Sequence, residues 1–419
     1  MRIRQVSGTG RVAGMTVSVA RGAAVLAAVL AAVLGPADRA LAGGQIAVSS
    51  NDNKAVWVNG VNVVPPNPKP DTVTILDLST TPPRILADFE APGGWSAPPQ
   101  SVAVAPDGSI ALVASATKLD PNDRTKTVFN DVVSVIDLKA TPPRVVGTVQ
   151  AGRRSVGVSF NKAGTMAAVA NRAEGTVSIF TVSGTTVTPA GKVDLKQPDS
   201  GPSLPVFSPD GRRIYVTLND ANGVAILDVN GTTVTYTGVT VPAGLKPYGI
   251  ELVPDGSLAV VANIGNGPMG GSDTLQLLDL RATPPRVVDG AFVGMVPEGI
   301  SMAPGGRFVA AALQNGAHLG PTSPYFHDTG FLKIYAIEGT RLRFVTQAPL
   351  GKWCQGVAWN SSATRVVAQC AADNRIEVFG FDGIVLTRQA PVTVSGAPTG
   401  IRTADAAAMP LKAAAAPRK

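Results

Sequence analysis

Short apolar segments alternate with turn residues along most of this chain. The turn between the first two segments of a repeated phrase recurs as Pro106-Asp107-Gly108, Pro209-Asp210-Gly211 and Pro254-Asp255-Gly256, with the variant Pro304-Gly305-Gly306. A third segment, which ends in an aspartate and a leucine, recurs as residues 72–78, 132–138 and 274–280. Strands of this length, bounded every few residues by Pro, Gly and Asp, predict an all-β protein.

The phrase repeats about every 50 residues, with four strands per repeat. Repeats of this length and strand content predict a seven-bladed β-propeller of four-stranded antiparallel blades, with strands A to D running from the central channel outward. The seven units cover residues 45–92, 99–152, 153–198, 203–244, 246–294, 296–351 and 353–391. The 45 glycines and 34 prolines fit a chain that turns this often.

Two segments compete for one position in the ring. Ile46-Ala47-Val48 can form strand A of the first unit. Pro398-Thr399-Gly400-Ile401 matches the start of strand A in other units, as in Pro247-Tyr248-Gly249-Ile250. The sequence leaves open which terminus closes the ring.

The two ends of the chain differ from the repeat region. Arginines precede an apolar run over residues 22–34, and Ala40-Leu41-Ala42 matches a signal peptidase site. Residues 1–42 are therefore predicted to be a cleaved signal peptide, with Met15 as an alternative start. Residues 43–404 are predicted to form the propeller and residues 405–419 a disordered Ala/Pro/Lys tail. We expect a periplasmic or secreted protein with no membrane association after cleavage.

The formal net charge of +7 comes from these ends. Residues up to Ala42 carry a net charge of +4 and those from Arg402 onward carry +3, which leaves a neutral body. A neutral body gives no reason to expect a nucleic-acid partner.

Cys354 and Cys370 are the only cysteines. A hairpin that folds about residues 360–363 sets Trp359 opposite Arg365 and brings the two cysteines face to face. In an exported protein this predicts a disulfide. The alternative is two reduced, partly buried thiols.

Three segments resemble the YVTN-type β-propeller repeat of exported bacterial proteins: residues 209–217, Ala168-Val169-Ala170-Asn171 and residues 133–137. This resemblance implies the propeller fold over nearly all of the mature chain. The repeat class also resembles two functional groups. One is the heavy subunits of periplasmic amine dehydrogenases, which are scaffolds, and the other is the 6-phosphogluconolactonase-type propellers, which are enzymes.

One face of the predicted ring is the natural place for a site, because the D–A connections and the B–C loops emerge there. The residue that leads into strand A varies from unit to unit: Gln100, Arg154, Ser203, Tyr248, Glu298 and Gln355, with Thr399 if the C-terminus closes the ring. The B–C loops are short at residues 172–175 and 219–223 and extended at residues 62–71, 116–131, 264–273 and 314–330. Varied polar residues beside long loops predict a ligand-binding face, although loop insertions are also tolerated without any ligand.

Within this face, Glu298 could act as a base while Arg154 holds an anionic substrate. The alternative is that these charges only solvate the channel. His318 and His327, with Asp328 nearby, lie in the longest loop and are also predicted ligand-binding residues. They do not make a transition-metal set, so we expect neither a metal nor a cofactor.

We therefore expect a non-catalytic scaffold that docks a protein partner or small ligand on this face. One alternative is a lactonase or cycloisomerase of the 6-phosphogluconolactonase type. That resemblance implies an Arg-His pair where this chain has Ser203 and Leu204, and an Asn-Glu pair where it has Asn219 and Asp220. The other alternative is a non-catalytic subunit of a periplasmic redox complex.

Overall fold

Seven four-stranded antiparallel sheets form the blades of a β-propeller in the computed structural model, which describes residues 46–95, 97–267, 271 and 273–404. Each innermost strand contacts the innermost strand of the next blade, and these contacts close into a ring. The predicted fold class is confirmed.

Strands are numbered along the chain, and each blade is given from strand A to strand D. Blade one contains β32 (Ala397–Thr403), β1 (Ile46–Asp52), β4 (Thr72–Asp77) and β5 (Arg84–Glu90). Blade two contains β6 (Val102–Val104), β7 (Ile110–Ala114), β10 (Val132–Asp137) and β11 (Arg144–Gln150). Blade three contains β12 (Ser155–Phe160), β13 (Met166–Asn171), β14 (Thr176–Ser183) and β15 (Thr186–Asp194). Blade four contains β16 (Pro202–Phe207), β17 (Arg213–Leu218), β18 (Gly223–Asn230) and β19 (Thr233–Pro242).

Blade five contains β20 (Pro247–Leu252), β21 (Leu258–Asn263), β22 (Asp273–Asp279) and β23 (Arg286–Gly294). Blade six contains β24 (Pro297–Met302), β25 (Phe308–Leu313), β26 (Phe331–Glu338) and β27 (Arg341–Pro349). Blade seven contains β28 (Cys354–Trp359), β29 (Arg365–Cys370), β30 (Arg375–Phe381) and β31 (Leu386–Thr393). Two small hairpins are inserted in B–C loops: β2 (Val56–Val58) with β3 (Val61–Val63), and β8 (Thr117–Leu119) with β9 (Thr127–Phe129).

The C-terminal segment closes the ring. β32 is strand A of blade one, and β1 pairs with it as strand B, with Ala47 opposite Thr403 and Ser49 opposite Ile401. Ile46-Ala47-Val48 therefore does not line the channel as a strand A. Because both ends of the described chain share one sheet, the ring cannot open without breaking this ladder.

The hydrophobic core lies between blades rather than within one centre. Separate clusters of buried side chains join blades two and three, three and four, four and five, five and six, six and seven, and seven and one. A sheet that is covered on both faces buries both sets of alternating side chains. For this reason whole strands are buried, as in β7, β21 and β29 apart from Arg365.

The face opposite the B–C loops, here called the turn face, carries the repeated aspartates. Asp77 Oδ1 accepts the backbone N–H of Ser79, and Asp137 Oδ1 accepts those of Lys139 and Ala140. Asp279 Oδ1 accepts the backbone N–H of Arg281. These bonds give the aspartates a structural role, since each carboxylate holds a C–D connection.

The disulfide between Cys354 and Cys370 is present, and the two cysteines are paired across β28 and β29 with their Cα atoms 3.9 Å apart. The expected register was wrong by one residue, because Trp359 lies opposite Val366 rather than Arg365. The turn extends to Thr364, with Ala363 at φ +54°. A β-bulge between Cys354 and Val357 then restores the cysteine pairing.

The predicted signal peptide and the predicted tail lie outside the described residues. Among the described residues, no helix is long and apolar enough to cross a membrane.

Candidate functional site

A β-bulge marks the start of strand A in most blades, on the face that carries the B–C loops, here called the loop face. The register shifts lie between residues 155 and 158, 202 and 205, 247 and 250, 297 and 299, and 354 and 357. A bulge redirects the side chains beside it. The channel mouth on the loop face is therefore lined by residues that the regular ladder would point elsewhere.

The register corrects one member of the predicted ring. The residues that pair with the end of strand B at this mouth are Ser155, Pro202, Pro247, Pro297 and Cys354. The equivalent lead-in residues that follow them are Val156, Ser203, Tyr248, Glu298 and Gln355. Arg154 lies two positions before Val156, so the blade-three member of the ring is apolar and fully buried.

Arg154 belongs instead to a second recurring position, which directly precedes strand A. Residues at this position have a positive φ in five blades: Arg154 (58°), Gly201 (61°), Lys246 (58°), Val296 (54°) and Trp353 (49°). The backbone accepts any of these side chains in the same conformation. The position can therefore present a different chemical group in each blade.

Three of the predicted ring residues are buried and bonded to protein. Gln100 Nε2 donates to the backbone oxygen of Ile300, 3.2 Å away, and Gln355 Nε2 donates to that of Thr399, 2.9 Å away. Ser203 Oγ accepts from Arg172 Nη1 at 2.8 Å and donates to the backbone oxygen of Gly201. Gln100 and Gln355 thus tie inner strands of different blades together.

A group of charged residues occupies the mouth at blades three to six. Arg172, in the short B–C turn of blade three, donates through Nη2 to Asn219 Oδ1 at 2.6 Å and forms an ion pair with Asp220 at 3.2 Å. Its guanidinium carbon lies 5.9 Å from the centre of the Tyr248 ring. Lys246 Nζ contacts the other oxygen of Asp220 at 2.7 Å. We call Arg154, Arg172, Lys246, Asp220, Tyr248 and Glu298 the charged cluster.

The aromatic wall of this cluster comes from an inserted hairpin. The Phe129 ring, at the end of β9, lies 5.1 Å from the guanidinium carbon of Arg154 and 5.3 Å from that of Arg153. Cation–π contact of this kind orients a guanidinium without neutralising it. The blade-two insertion therefore supports Arg154 at the mouth.

Burial sets the protonation of this cluster. Burial raises the pKa of Glu298 to about 8, and Gln314 Nε2 donates to Glu298 Oε2. Burial, followed by the charge of Glu298, raises the pKa of Tyr248. Burial lowers the pKa of Arg154, and the neighbouring Arg172 adds to the effect. At neutral pH Glu298 is mostly protonated, so Arg172 and Lys246 share the single carboxylate of Asp220 among the described residues of the cluster.

The two predicted histidines are not members of the charged cluster, and they differ from each other in burial. Burial lowers the pKa of His318 to about 4, and its Nδ1 atom has no partner among the described residues. His327 is exposed. Their loop reaches the hairpin inserted in blade one, because a Cβ on Gly320 would lie 2.2 Å from the backbone oxygen of Asn59. Within the described part of the chain, no three His, Cys, Asp or Glu side chains are placed to hold a metal ion.

A cavity of about 270 Å³ lies at the other end of the channel, on the turn face. It is lined by the far ends of the inner strands, among them Val104, Phe160 and Met302. An ion pair between Arg402 of blade one and Glu251 of blade five crosses it. That pair matches one cation to one anion at this end of the channel, and Lys162 also lines the cavity.

Sequence reasoning missed Arg172 as a member of the charged cluster and found Asp220 only through a family motif. The available signal was the shortness of the B–C turns in blades three and four. A short turn keeps its polar residues at the mouth, whereas a long loop carries them away from it. Ser203, Tyr248 and Glu298 were identified from the sequence, and Ser203 and Tyr248 both contact the Arg172 guanidinium.

Comparison with known proteins gives structural matches alone. No family model matches the chain, and no curated protein matches its sequence. The YVTN-type assignment therefore stays a prediction.

Many solved structures share the fold. A candidate 6-phosphogluconolactonase from Bacteroides uniformis aligns with a TM-score of 0.64 and 15% identity, over 86% of this chain and 99% of that one. The periplasmic gluconolactonase of Pseudomonas aeruginosa aligns with a TM-score of 0.62 and 17% identity, over 85% and 99%. A protein of unknown function from Desulfotomaculum acetoxidans aligns with a TM-score of 0.63 and 15% identity, over 86% and 99%. At these identities the matches show a seven-bladed propeller fold shared with 6-phosphogluconolactonase-like proteins, and they show no activity.

Proposed function

We propose that the loop face binds a small organic anion at the charged cluster. The observation that carries this proposal is the meeting of Arg172 and Lys246 at Asp220, on one channel mouth where Glu298 is protonated at neutral pH. Two cations beside one carboxylate leave an excess of positive charge among the described residues of this cluster. A carboxylate or phosphate ligand would balance that excess.

Hydrogen bonds already orient the Arg172 guanidinium for such a ligand. Arg172 is fixed by Ser203, Asn219 and Asp220, from two different sides of its guanidinium. A guanidinium that is already oriented loses less entropy when it binds an oxyanion. A protonated Glu298 can donate a further hydrogen bond, which an ionised carboxylate cannot.

Anion binding at this site is expected to depend on pH. Above the Glu298 pKa of about 8, its carboxylate would repel an anionic ligand. Affinity is therefore present below pH 8 and falls as the pH rises through that value. The Glu298→Gln variant keeps a neutral hydrogen-bond donor and loses the titrating group, so its affinity should stay level from pH 6 to pH 9.

Isothermal titration calorimetry with gluconate and 6-phosphogluconate, at constant ionic strength, tests the proposal. We expect binding by the wild type at pH 6 and 7, weaker binding at pH 9, and no such decline for Glu298→Gln. Failure of both anions to bind at millimolar concentration would contradict the proposal. An identical decline in Glu298→Gln would remove Glu298 from the site.

A second candidate function is lactone hydrolysis at the same mouth. It is favoured by the position of Arg172, which places a guanidinium 2.8 Å from Ser203 Oγ, where the lactonase-type pattern has its own arginine. A group with a pKa of about 8 is also suited to proton transfer near neutral pH. In this reaction water adds to the acyl carbon, the ring C–O bond breaks, and the departing alkoxide takes a proton.

A pH-stat assay with glucono-δ-lactone separates the two candidates. Hydrolysis above the spontaneous rate that Glu298→Gln abolishes, with anion binding retained, would support an enzyme. Hydrolysis at the spontaneous rate by a protein that binds gluconate would support a binding protein.

Docking of a protein on the loop face, as a scaffold or a redox-complex subunit, is a further proposal. The extended B–C loops beside the charged cluster support it, since insertions on one face commonly form interaction surfaces. Native mass spectrometry of the protein purified from its own cells tests it. A stoichiometric protein mass would support docking, and a bare monomer would count against it.

A further inference from the structure

We infer that the loop face carries a second site, on the opposite side from the charged cluster, that binds a quaternary ammonium group. Trp57, Trp95 and Trp353 line one cavity there, together with Asp52, Asn53 and Asn374. We call these three tryptophans the aromatic cage. The site is independent of the proposed anion site, since none of its lining residues belongs to the charged cluster.

The cage brings together residues that are distant in sequence. Trp57 lies in the hairpin inserted in blade one, Trp95 in the connection from blade one to blade two, and Trp353 directly before strand A of blade seven. The Trp57 and Trp353 ring centres are 4.5 Å apart with a tilt of 37° between the rings. The Trp95 and Trp353 ring centres are 6.2 Å apart at 68°. Three indoles at these angles form a corner rather than a flat stack.

The propeller itself does not require these tryptophans. Trp353 shares its backbone position and positive φ with Arg154, Gly201 and Lys246 of other blades. The fourth tryptophan, Trp359, is a core residue whose Nε1 donates to the backbone oxygen of Ser301. By contrast, Trp95 Nε1 is buried with no partner among the described residues. Packing therefore accounts for Trp359 and contributes to the burial of Trp353, which is 7% exposed, but it does not account for the unpartnered Nε1 of Trp95.

A second, buried group of charged residues adjoins the cage: Lys54, Asp52 and Asp71. It contains one more carboxylate than ammonium. Lys54 Nζ contacts Asp52 at 2.7 Å and Asp71 at 2.6 Å, and all three side chains are at most 8% exposed. Asp52 Oδ2 also accepts the backbone N–H of Trp95 at 3.1 Å, which joins this buried group to the cage. Two carboxylates and one ammonium leave one negative charge when all are ionised.

The pKa shifts of Lys54 and Asp71 agree with an excess of negative charge in this buried group. Burial opposes the charge of Lys54, but Asp52 and Asp71 outweigh it and raise the pKa of Lys54. Burial, followed by the charge of Asp52, raises the pKa of Asp71. A cation in the cage would favour the ionised form of Asp71.

These features select the class of ligand. Indole faces attract cations, and aromatic cages are suited to quaternary ammonium groups, which have no N–H to satisfy. The cavity of about 160 Å³ is several times the roughly 30 Å³ that one water occupies in the liquid. A primary ammonium would favour a carboxylate as acceptor, but Asp52, the carboxylate in the lining, already accepts from Lys54, Ala55 and Trp95 through both oxygens.

Titration of the full-length protein with tetramethylammonium and choline tests this inference, with tryptophan fluorescence and calorimetry as readouts. The neutral control ligand is 3,3-dimethylbutan-1-ol, which has the shape of choline without its charge. Sodium chloride keeps the ionic strength constant. We expect saturable binding of both cations and at least tenfold weaker binding of the neutral ligand.

Trp57→Ala should weaken cation binding by about tenfold, and Trp57→Phe by less, because phenyl rings attract cations less strongly than indole. Trp57 lies in an inserted hairpin, so its removal leaves the blade strands intact. Phe292→Ala is the matched control, because Phe292 is 80% exposed on the outer strand of blade five. We expect Phe292→Ala to bind like the wild type.

Two outcomes would overturn the inference: equal affinity for the neutral ligand and choline, or no cation binding at millimolar concentration. Asp71→Asn tests the charge separately and should weaken cation binding. Arg172→Met distinguishes the two sites, because it should impair gluconate binding and leave choline binding unchanged.

Discussion

Arg154 and Trp353 occupy the same place in two blades and do opposite things. Both directly precede strand A, with φ values of 58° and 49°. Arg154 adds a cation to the charged cluster, whereas Trp353 adds an aromatic face to the cage. One backbone position therefore serves an electropositive region and an electron-rich region of the same face.

The surroundings of these two residues explain the contrast. Near Arg154 the B–C turns of blades three and four are short, so Arg172 and Asp220 stay at the channel mouth. Near Trp353 the B–C loop of blade one is long and folds its hairpin over the mouth, which puts Trp57 against Trp353. The repeat supplies equivalent positions, and loop length decides which groups meet there.

The largest expected effect concerns how the strands that follow Trp353 and Arg154 are held in place. The residue after Trp353 is Cys354, which is bonded to Cys370, whereas the residue after Arg154 is Ser155, which pairs with Asn171 without a covalent link. Replacing both cysteines with serine should lower the free energy of unfolding by about 3 kcal/mol, because the bond joins residues that are 16 positions apart in the sequence. Urea denaturation with and without reductant measures this.

The double variant also tests the independence of the two sides. Choline binding should weaken, since the disulfide holds the strand that begins beside Trp353, while gluconate binding should not change. Free thiols in the unreduced wild type, or equal losses at both sites, would contradict this account.

Arg172→Met should weaken gluconate binding by about 10- to 100-fold, because a charge-assisted hydrogen bond contributes about 1.5–3 kcal/mol. The guanidinium also holds Ser203 and Asn219 in place. Calorimetry at pH 7 measures the loss. Arg212→Met is the control, because Arg212 lies in the A–B turn of blade four, on the turn face. Equal effects of the two substitutions would argue against the charged cluster as the site.

Glu298 should make stability depend on pH. Burial raises its pKa from 4.5 to about 8, so its contribution to stability is complete below pH 4.5 and is lost as the pH rises through about 8. Between pH 5 and pH 9 the wild type should lose about 2 kcal/mol relative to Glu298→Gln, less than the full shift because the side chain is partly exposed. Urea denaturation at both pH values checks this. An equal loss of unfolding free energy in the wild type and in Glu298→Gln would show that the pKa of Glu298 is not raised.

The smallest expected effect concerns the contact between two insertions on the aromatic side. A Cβ on Gly320 would lie 2.2 Å from the backbone oxygen of Asn59, at the tip of the hairpin that carries Trp57. Gly320→Ala should cost about 1 kcal/mol and weaken choline binding several-fold, since exposed loops can move apart. Thermal unfolding and titration measure both effects. Gly147→Ala is the control, because a Cβ on Gly147 would have no atom within 4 Å and its φ is not positive. This variant should bind choline like the wild type.

Much of the fold was predictable from the sequence because the repeat is local. Alternating apolar positions and Pro-Asp-Gly turns predicted four-stranded blades, and the facing cysteines predicted the disulfide. The register failed in blade seven, where the turn extends to Thr364 before Arg365, and in blade three, where a bulge lies beside Arg154. These inner strands are buried on both faces and do not alternate, so one added residue leaves no break in the hydrophobic pattern that could reveal it.

The candidate site was only partly predictable. Tyr248, Ser203 and Glu298 were found because they vary within a repeated phrase. The role of Arg172 and the convergence of the three tryptophans were missed, because these residues lie in turns and insertions that the repeat does not align. Sequence separation says nothing about distance once a ring brings residues 57 and 353 into contact.

The sequence by itself determined the class of fold, the number of blades and the pairing of Cys354 with Cys370, because these depend on periodicity and on neighbouring strands. Only the tertiary structure decided that the C-terminal strand closes the ring, that burial keeps Glu298 protonated at neutral pH, and that three tryptophans adjoin the buried pair of Asp52 and Asp71. Ring closure and burial depend on contacts between distant blades. Such contacts form through space, and a local pattern such as Pro398-Thr399-Gly400-Ile401 can only offer a candidate for them.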